Sequence, residues 1–178
     1  LGPLLAISGV AVAATPFVVR AAGETAGSGG ALLVAIVAIL VPGALLSAVS
    51  PMVTKLVLTD LAETGSVVGR LSGIGTVGAI AGTVLTGFVF LAALPVSSVL
   101  VATGVVLVLA GAAVEWRVRG IRAAVLPVVL LVPGALGAAF GPGQCESETV
   151  YHCAQVQDDP ARDSGRVLVL DSLRHSYV

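Results

Sequence analysis

Apolar positions in this chain come in long continuous runs, not in the strict alternation of a half-buried strand or the narrow stripe of a surface helix. Between Leu71 and Val114 no side chain carries a charge, and the run is interrupted by Leu94-Pro95. A helix rises about 1.5 Å per residue and a bilayer core is about 30 Å thick, so roughly 20 apolar residues make one crossing. The run therefore predicts two crossings joined by a tight turn. Charge-free stretches recur at Leu1 to Val19, Thr25 to Thr54 and Ala123 to Cys145, each long enough for one span. The pattern predicts an α-helical transmembrane bundle of about five spans.

The first span is expected from about Leu4 to Arg20, and glycines at 23, 27, 29 and 30 end it. A second covers about Ala31 to Val49. Pro51 follows, and the segment Met52 to Arg70 mixes Lys55, Asp60, Glu63 and Arg70 with Val53, Leu56, Val57, Leu58 and Leu61. Two readings fit that segment: a short amphipathic helix lying on the membrane surface, or a polar connection. The third span, about Leu71 to Leu91, follows Gly65, Gly69 and Gly73 at every fourth position, and Gly78 and Gly82 repeat that spacing within it. Close backbone approach through such faces is a main source of packing energy in lipid, so a tight helix pair is the favoured reading. A glycine-lined substrate path is the other, and it lacks the mid-membrane acid, base or histidine that transport sites usually need. Thr76, Thr83 and Thr86 can return their hydroxyls to backbone carbonyls.

Composition changes sharply near Gly141. The whole chain is 57% hydrophobic and 11% charged, against about 45 to 50% and about 25% in soluble domains. Six of the nine Lys and Arg and four acids precede residue 141; three Arg and six acids follow it. Gly141-Pro142-Gly143 marks the boundary, so residues 1–140 are expected to be a polytopic membrane domain and residues 141–178 the start of a water-soluble one. The tail is too short to bury a stable core alone. Leu1 is not an initiator Met and Val178 follows a strand-like run, ends expected of a piece cut from a longer protein. Leu1 to Val19 lacks the basic flank of a signal peptide, so a truncated span is expected there.

Cations orient the bundle. Arg117, Arg119 and Arg122 crowd the link between the fourth and fifth spans, and Lys55 and Arg70 flank the link between the second and third. Retention of Lys and Arg in cytoplasmic loops puts both links inside and delivers the tail to the extracytoplasmic side, with Arg20 as a small count against it. Cys145 and Cys153 both lie in the tail, where a disulfide suits an oxidising compartment; two unrelated thiols are the alternative. No metal site is expected, because the placing of His152 and His175 matches no established ligand spacing.

Within the tail, Thr149 to Gln157 alternates as a strand, with Val150, Ala154 and Val156 on one face and Tyr151 and Cys153 on the other. Arg166 to Asp171 is a second strand, and Asp158-Asp159-Pro160 with Asp163-Ser164-Gly165 supply turn chemistry, so a β-hairpin is predicted. Glu148-Thr149-Val150-Tyr151-His152, a turn, and then Leu168-Val169-Leu170-Asp171-Ser172-Leu173-Arg174-His175 resembles the opening hairpin of spermidine synthases, the polyamine aminopropyltransferases. In that family a Tyr-Gln strand leads to a Leu-Asp-Gly-x-x-Gln corner. The glycine-rich spans also resemble the membrane region that precedes this domain in many bacterial members. The resemblance implies a bacterial plasma-membrane protein whose hairpin begins a β-rich, Rossmann-like synthase domain.

The activity implied is transfer of an aminopropyl group from decarboxylated S-adenosylmethionine, the co-substrate, to a polyamine acceptor such as putrescine. An amine attacks the carbon beside a sulfonium, and a base takes the amine proton. The carboxylates and the cofactor loop that do this lie on the family's following domain, so no catalytic residue is expected within this chain. His152 stands where the family offers Gln to the donor, and His175 stands at the Gln that closes the corner. Both keep hydrogen-bonding capacity. Tyr151 is a third donor-side candidate, though it and Asp171 read more simply as packing and turn residues. The partners expected are the bilayer and a polyamine, with no nucleic acid; a homo-oligomer stays open. An extracytoplasmic tail conflicts with a methionine-derived donor, so either the orientation or the chemistry departs from the family. A transporter or transport partner with a non-catalytic soluble tail, and a structural anchor with an inactive synthase-like domain, are the competing readings.

Overall fold

A computed structural model describes residues 1–25, 28–58, 64–120, 122, 125, 128–129, 147–149, 152–159, 165–170 and 173–177. Helices dominate: α1 (Gly2–Thr25), α2 (Ser28–Ser47), α3 (Val49–Val57), α4 (Thr64–Leu85), a π-helical turn (Thr86–Phe90), α5 (Leu91–Ala93) and α6 (Val96–Arg119). Four stretches are long and apolar enough to cross a membrane: Gly2–Gly23, Gly29–Val57, Thr64–Ala93 and Val96–Arg119. Four of the expected spans are thus in place. The fifth, Ala123 to Cys145, falls largely outside the described residues, although Val125, Val128 and Val129 are helical.

Boundaries differ from expectation for local reasons. α2 runs almost directly into α3, since Ala48 and Met52 still donate to the carbonyls four residues back, at 3.2 and 3.4 Å. Pro51 has no amide to donate to Ser47, and there the helix is interrupted without ending. The segment after Pro51 is accordingly helical as far as Val57 and prolongs the second span. The third span starts at Thr64, seven residues before the expected Leu71, because an isolated Arg70 near a helix end is tolerated by a long side chain that reaches toward water. The tight turn at Leu94-Pro95 is as expected: both residues are extended, and Pro95 caps α6.

The helical core is a seam between α1 and α6, which are far apart in sequence. A Cβ built on Gly9 would meet the Gly104 carbonyl at 2.6 Å, and one on Gly104 would meet the Gly9 carbonyl at 2.5 Å. One on Gly111 would meet the Gly2 carbonyl at 2.6 Å. Gly2 with Gly111, and Gly9 with Gly104, fixes the pair as antiparallel. Two heptad-spaced glycines on each helix, with Ala6, Ala13 and Ala112 buried between them, let the backbones touch. Ser8 is fully buried there, its hydroxyl donating to the Leu4 carbonyl at 2.7 Å. α2 packs on the other side of α1, where the Thr15 hydroxyl donates to Ala11 at 3.0 Å and reaches the Ala38 carbonyl at 3.3 Å.

The expected glycine pair of the third span is not seen among the described residues. Built Cβ atoms on Gly65, Gly69, Gly73, Gly78 and Gly82 of α4 meet nothing within 4 Å. Spacing of four grants a helix a close-approach face, but the contact needs a second small-residue face, and within this chain α1 and α6 supply one to each other. The threonine expectation does hold on α4: Thr76 and Thr83 donate to Ser72 and Ala79, each at 2.9 Å.

Downstream, β1 (Ser147–Glu148), β2 (Cys153–Asp158), β3 (Arg166–Leu170) and β4 (Leu173–Tyr177) form an antiparallel sheet in sequence order. The predicted hairpin is β2 with β3, registered by Gln155 opposite Val169 and Gln157 opposite Val167. The first predicted strand is corrected. It does not run from Thr149, because Ser147–Glu148 folds back on Cys153–Ala154 and the chain reverses between Thr149 and His152. A Rossmann-like domain is not seen among the described residues.

Candidate functional site

The sheet carries both candidate histidines, His152 at the end where β3 passes into β4 and His175 within β4. Leu170 pairs with both Ala154 and Leu173, so the start of β2 and the β3–β4 turn share that end. His152 immediately precedes β2 there, and His175 lies two residues into β4 from Leu173. β2 and β4 flank β3, so their backbones are about 10 Å apart. His175 lies opposite Leu168 and Val169 in the middle of β3, so it is displaced from His152 along the sheet as well as across it.

His152 is held by its neighbour Thr149. The Thr149 amide and hydroxyl both donate to the His152 carbonyl at 2.8 Å, and the Thr149 hydroxyl accepts from the His152 amide at 3.0 Å. Backbone position is therefore fixed while the side chain remains exposed. His175 has a different origin. Val169 pairs with Arg174 and Leu168 with Ser176, which leaves His175 as the extra residue of a β-bulge. Bulges re-aim side chains, and His175 is likewise exposed. Tyr151 and Asp171 lie outside the described residues.

One sheet face carries Val167 and Val169, both buried, and opposite them Gln155 and Gln157 on β2. Cys153 begins this row. Gln157 donates to the Gln155 side-chain oxygen at 3.2 Å, and Gln155 approaches the Cys153 sulfur at 3.7 Å. The other face, with Val156 half exposed, is the open one. Cys153 is disulfide-bonded; Cys145, its expected partner, lies outside the described residues. The loop from β2 to β3 is closed by Asp159, which is buried and whose amide donates to the Gly165 carbonyl at 2.8 Å. Beside it, Asp158 and Arg166 form an exposed ion pair at 4.0 Å.

Chemically, this arrangement can bind and orient a small polar ligand. Two imidazoles supply donors and acceptors, a row of amides supplies more, and Glu148 of β1, paired with Cys153, places a carboxylate residue at that end of the sheet. No group of three His, Cys, Asp or Glu that could hold a metal occurs among the described residues. Sequence reasoning missed the Thr149 clasp and the glutamine row. The Thr-x-x-His spacing and the Gln-x-Gln alternation were the available signals.

No protein-family model matches this chain, and neither a curated protein nor a solved structure does so. The resemblance to the aminopropyltransferases thus rests on the quoted residues alone.

Proposed function

We propose that this chain is the membrane anchor and opening hairpin of a spermidine-synthase-like protein of the bacterial plasma membrane. Residues 1–140 hold it in the bilayer, and residues 141–178 begin its soluble domain. The observation that carries the reading is the antiparallel β2–β3–β4 order, in which the strand ending Leu168-Val169-Leu170 pairs with the strand that starts at Leu173, downstream of four apolar helices. In the full-length protein the reaction is aminopropyl transfer. The acceptor nitrogen bonds to the propyl carbon, the carbon–sulfur bond breaks, methylthioadenosine leaves, and a base of the following domain takes the amine proton. His152 and His175 contribute donor binding from the sheet, with Tyr151 beside His152 in sequence.

Release of methylthioadenosine by detergent-solubilised full-length protein given the decarboxylated donor and putrescine tests the reading. Under it, His152→Ala raises the donor KM about tenfold, as expected for loss of one positioned hydrogen bond in a binding site. No release with any di- or polyamine overturns it.

A second reading is favoured by the disulfide at Cys153. An oxidising compartment suits that bond and an extracytoplasmic tail, but it does not make a decarboxylated methionine donor. In this reading the sheet belongs to a non-catalytic module on a transport-associated protein. Maleimide labelling of reduced, intact cells separates the two: labelling from outside favours the second, labelling only after lysis the first.

A further inference from the structure

The C-terminal end of α6 concentrates positive charge where a bilayer would end. Arg117 and Arg119 occupy its last turn, Gly120 closes it with φ +87°, a conformation that suits glycine, and Arg122 follows directly. All three arginines are exposed, and so are Trp116 (62%) and Val118 (74%). The opposite side of the same helix is committed, since Gly104, Val108, Gly111, Ala112 and Glu115 are buried in or beside the seam with α1.

Helix capping accounts for only part of this. Cations in a last turn complement the helix dipole, and Arg119 also meets the nearly buried Glu115 carboxylate at 3.6 Å. Arg122 lies beyond the glycine cap, Arg117 projects away from the seam, and an exposed tryptophan serves no cap. An indole beside arginines at the end of an apolar helix is the combination that settles at headgroup depth. The antiparallel seam and the helix order bring the start of α1, Lys55 and Arg70 to this same end of the helices, and Arg20 to the other. The link containing Lys55 and Arg70 also contains Asp60 and Glu63 in sequence, so its charge is offset. The unbalanced positive charge is at α6.

We propose that Trp116, Arg117 and Arg122 form a docking surface for the phosphate headgroups of anionic phospholipids in the leaflet at that end. Arg119 is shared with Glu115 and supports the surface. The indole lies among the glycerol backbones while the two guanidinium groups each take phosphate oxygens in paired hydrogen bonds. The proposal rests on the reading of the helices as spans.

The test uses the full chain in nanodiscs of phosphatidylcholine mixed with phosphatidylglycerol, followed by native mass spectrometry of the lipids it retains. Phosphatidylglycerol is expected to be retained over phosphatidylcholine, with retention falling as salt rises. Arg117→Gln with Arg122→Gln should lower retention about fivefold for each arginine, while Arg20→Gln leaves it unchanged. Equal retention of both lipids by the unaltered protein overturns the proposal, whether or not the variants fold. Displacement of the lipid by soluble glycerol phosphate also overturns it, by showing a site for free phosphate. A chain that needs no detergent or lipid to stay in solution sinks the spanning reading itself, a different and separately visible result.

Discussion

The glycines of the α1–α6 pair and those of α4 have opposite fates in this protein. Gly2 and Gly9 on α1 and Gly104 and Gly111 on α6 lie so close that their absent side chains would collide with the facing helix, whereas the six glycines of α4 meet nothing within 4 Å among the described residues. α4 is richer in glycine than either partner of the seam. What separates them is whether a second small-residue face lies antiparallel at matching intervals: Gly2, Ala6, Gly9 and Ala13 meet Gly111 and Gly104 in reverse order. A glycine repeat is therefore a capacity for contact, and it becomes a contact only in register with another.

Substitution along the two helices tests that contrast directly. Gly104→Val forces a side chain against the Gly9 carbonyl and the Ala13 backbone, neither of which can yield cheaply. A loss of about 3 kcal/mol is expected, at the upper end for overpacking, together with loss of α1–α6 cysteine cross-linking in detergent. An unchanged melting temperature would remove the seam as the basis of the fold.

Cys153→Ser comes next. Opening a loop with only seven residues between the cysteines should lower sheet stability by about 2.5 kcal/mol if the partner is Cys145. The control is thiol labelling, in which Cys153 of the unaltered protein reacts only after reduction. Labelling without reductant contradicts the bond.

Gly2→Ala is expected to cost less, about 1 kcal/mol, although its built Cβ falls only 2.5 Å from a Glu115 carboxylate oxygen. The obstruction is the far end of a flexible side chain, which can swing away. A drop as large as that for Gly104→Val would show Glu115 to be as rigid as backbone. Gly78→Ala on α4 should be neutral or stabilising by up to about 1 kcal/mol, since it meets nothing and alanine favours helix. Destabilisation there would reveal a contact from outside the described residues. Asp158→Asn should have no measurable effect on thermal unfolding, because its ion pair with Arg166 is long and fully solvated.

Legibility followed the range of the interaction. The turn at Leu94-Pro95 could be read directly, because proline excludes the helix from both its own amide and the preceding residue. The β2–β3 hairpin was legible for a similar reason: aspartates, Pro160 and Gly165 surround the reversal. The β1–β2 reversal was hidden within Thr149-Val150-Tyr151-His152, whose residue types suit a strand, and only the Thr149 clasp onto His152 betrays it. Likewise, nothing in Leu173 to Tyr177 announces a bulge, since the extra residue exists only relative to its partner strand. Of the candidate site, the two histidines were visible as residue types, but their places on the sheet became visible through register alone.

By itself the sequence determined that four described stretches are apolar and long enough for a bilayer, and that a polar segment with strand and turn chemistry follows them. Hydropathy and turn preference are sums over neighbouring residues, so they need no knowledge of what lies across the fold. Tertiary structure alone decided which glycines touch, that α1 pairs with the distant α6 while the glycines of α4 meet nothing among the described residues, and that His175 is displaced by a bulge. Each of these depends on the match between two surfaces far apart in the chain, and complementarity is a property of the pair that neither member carries alone.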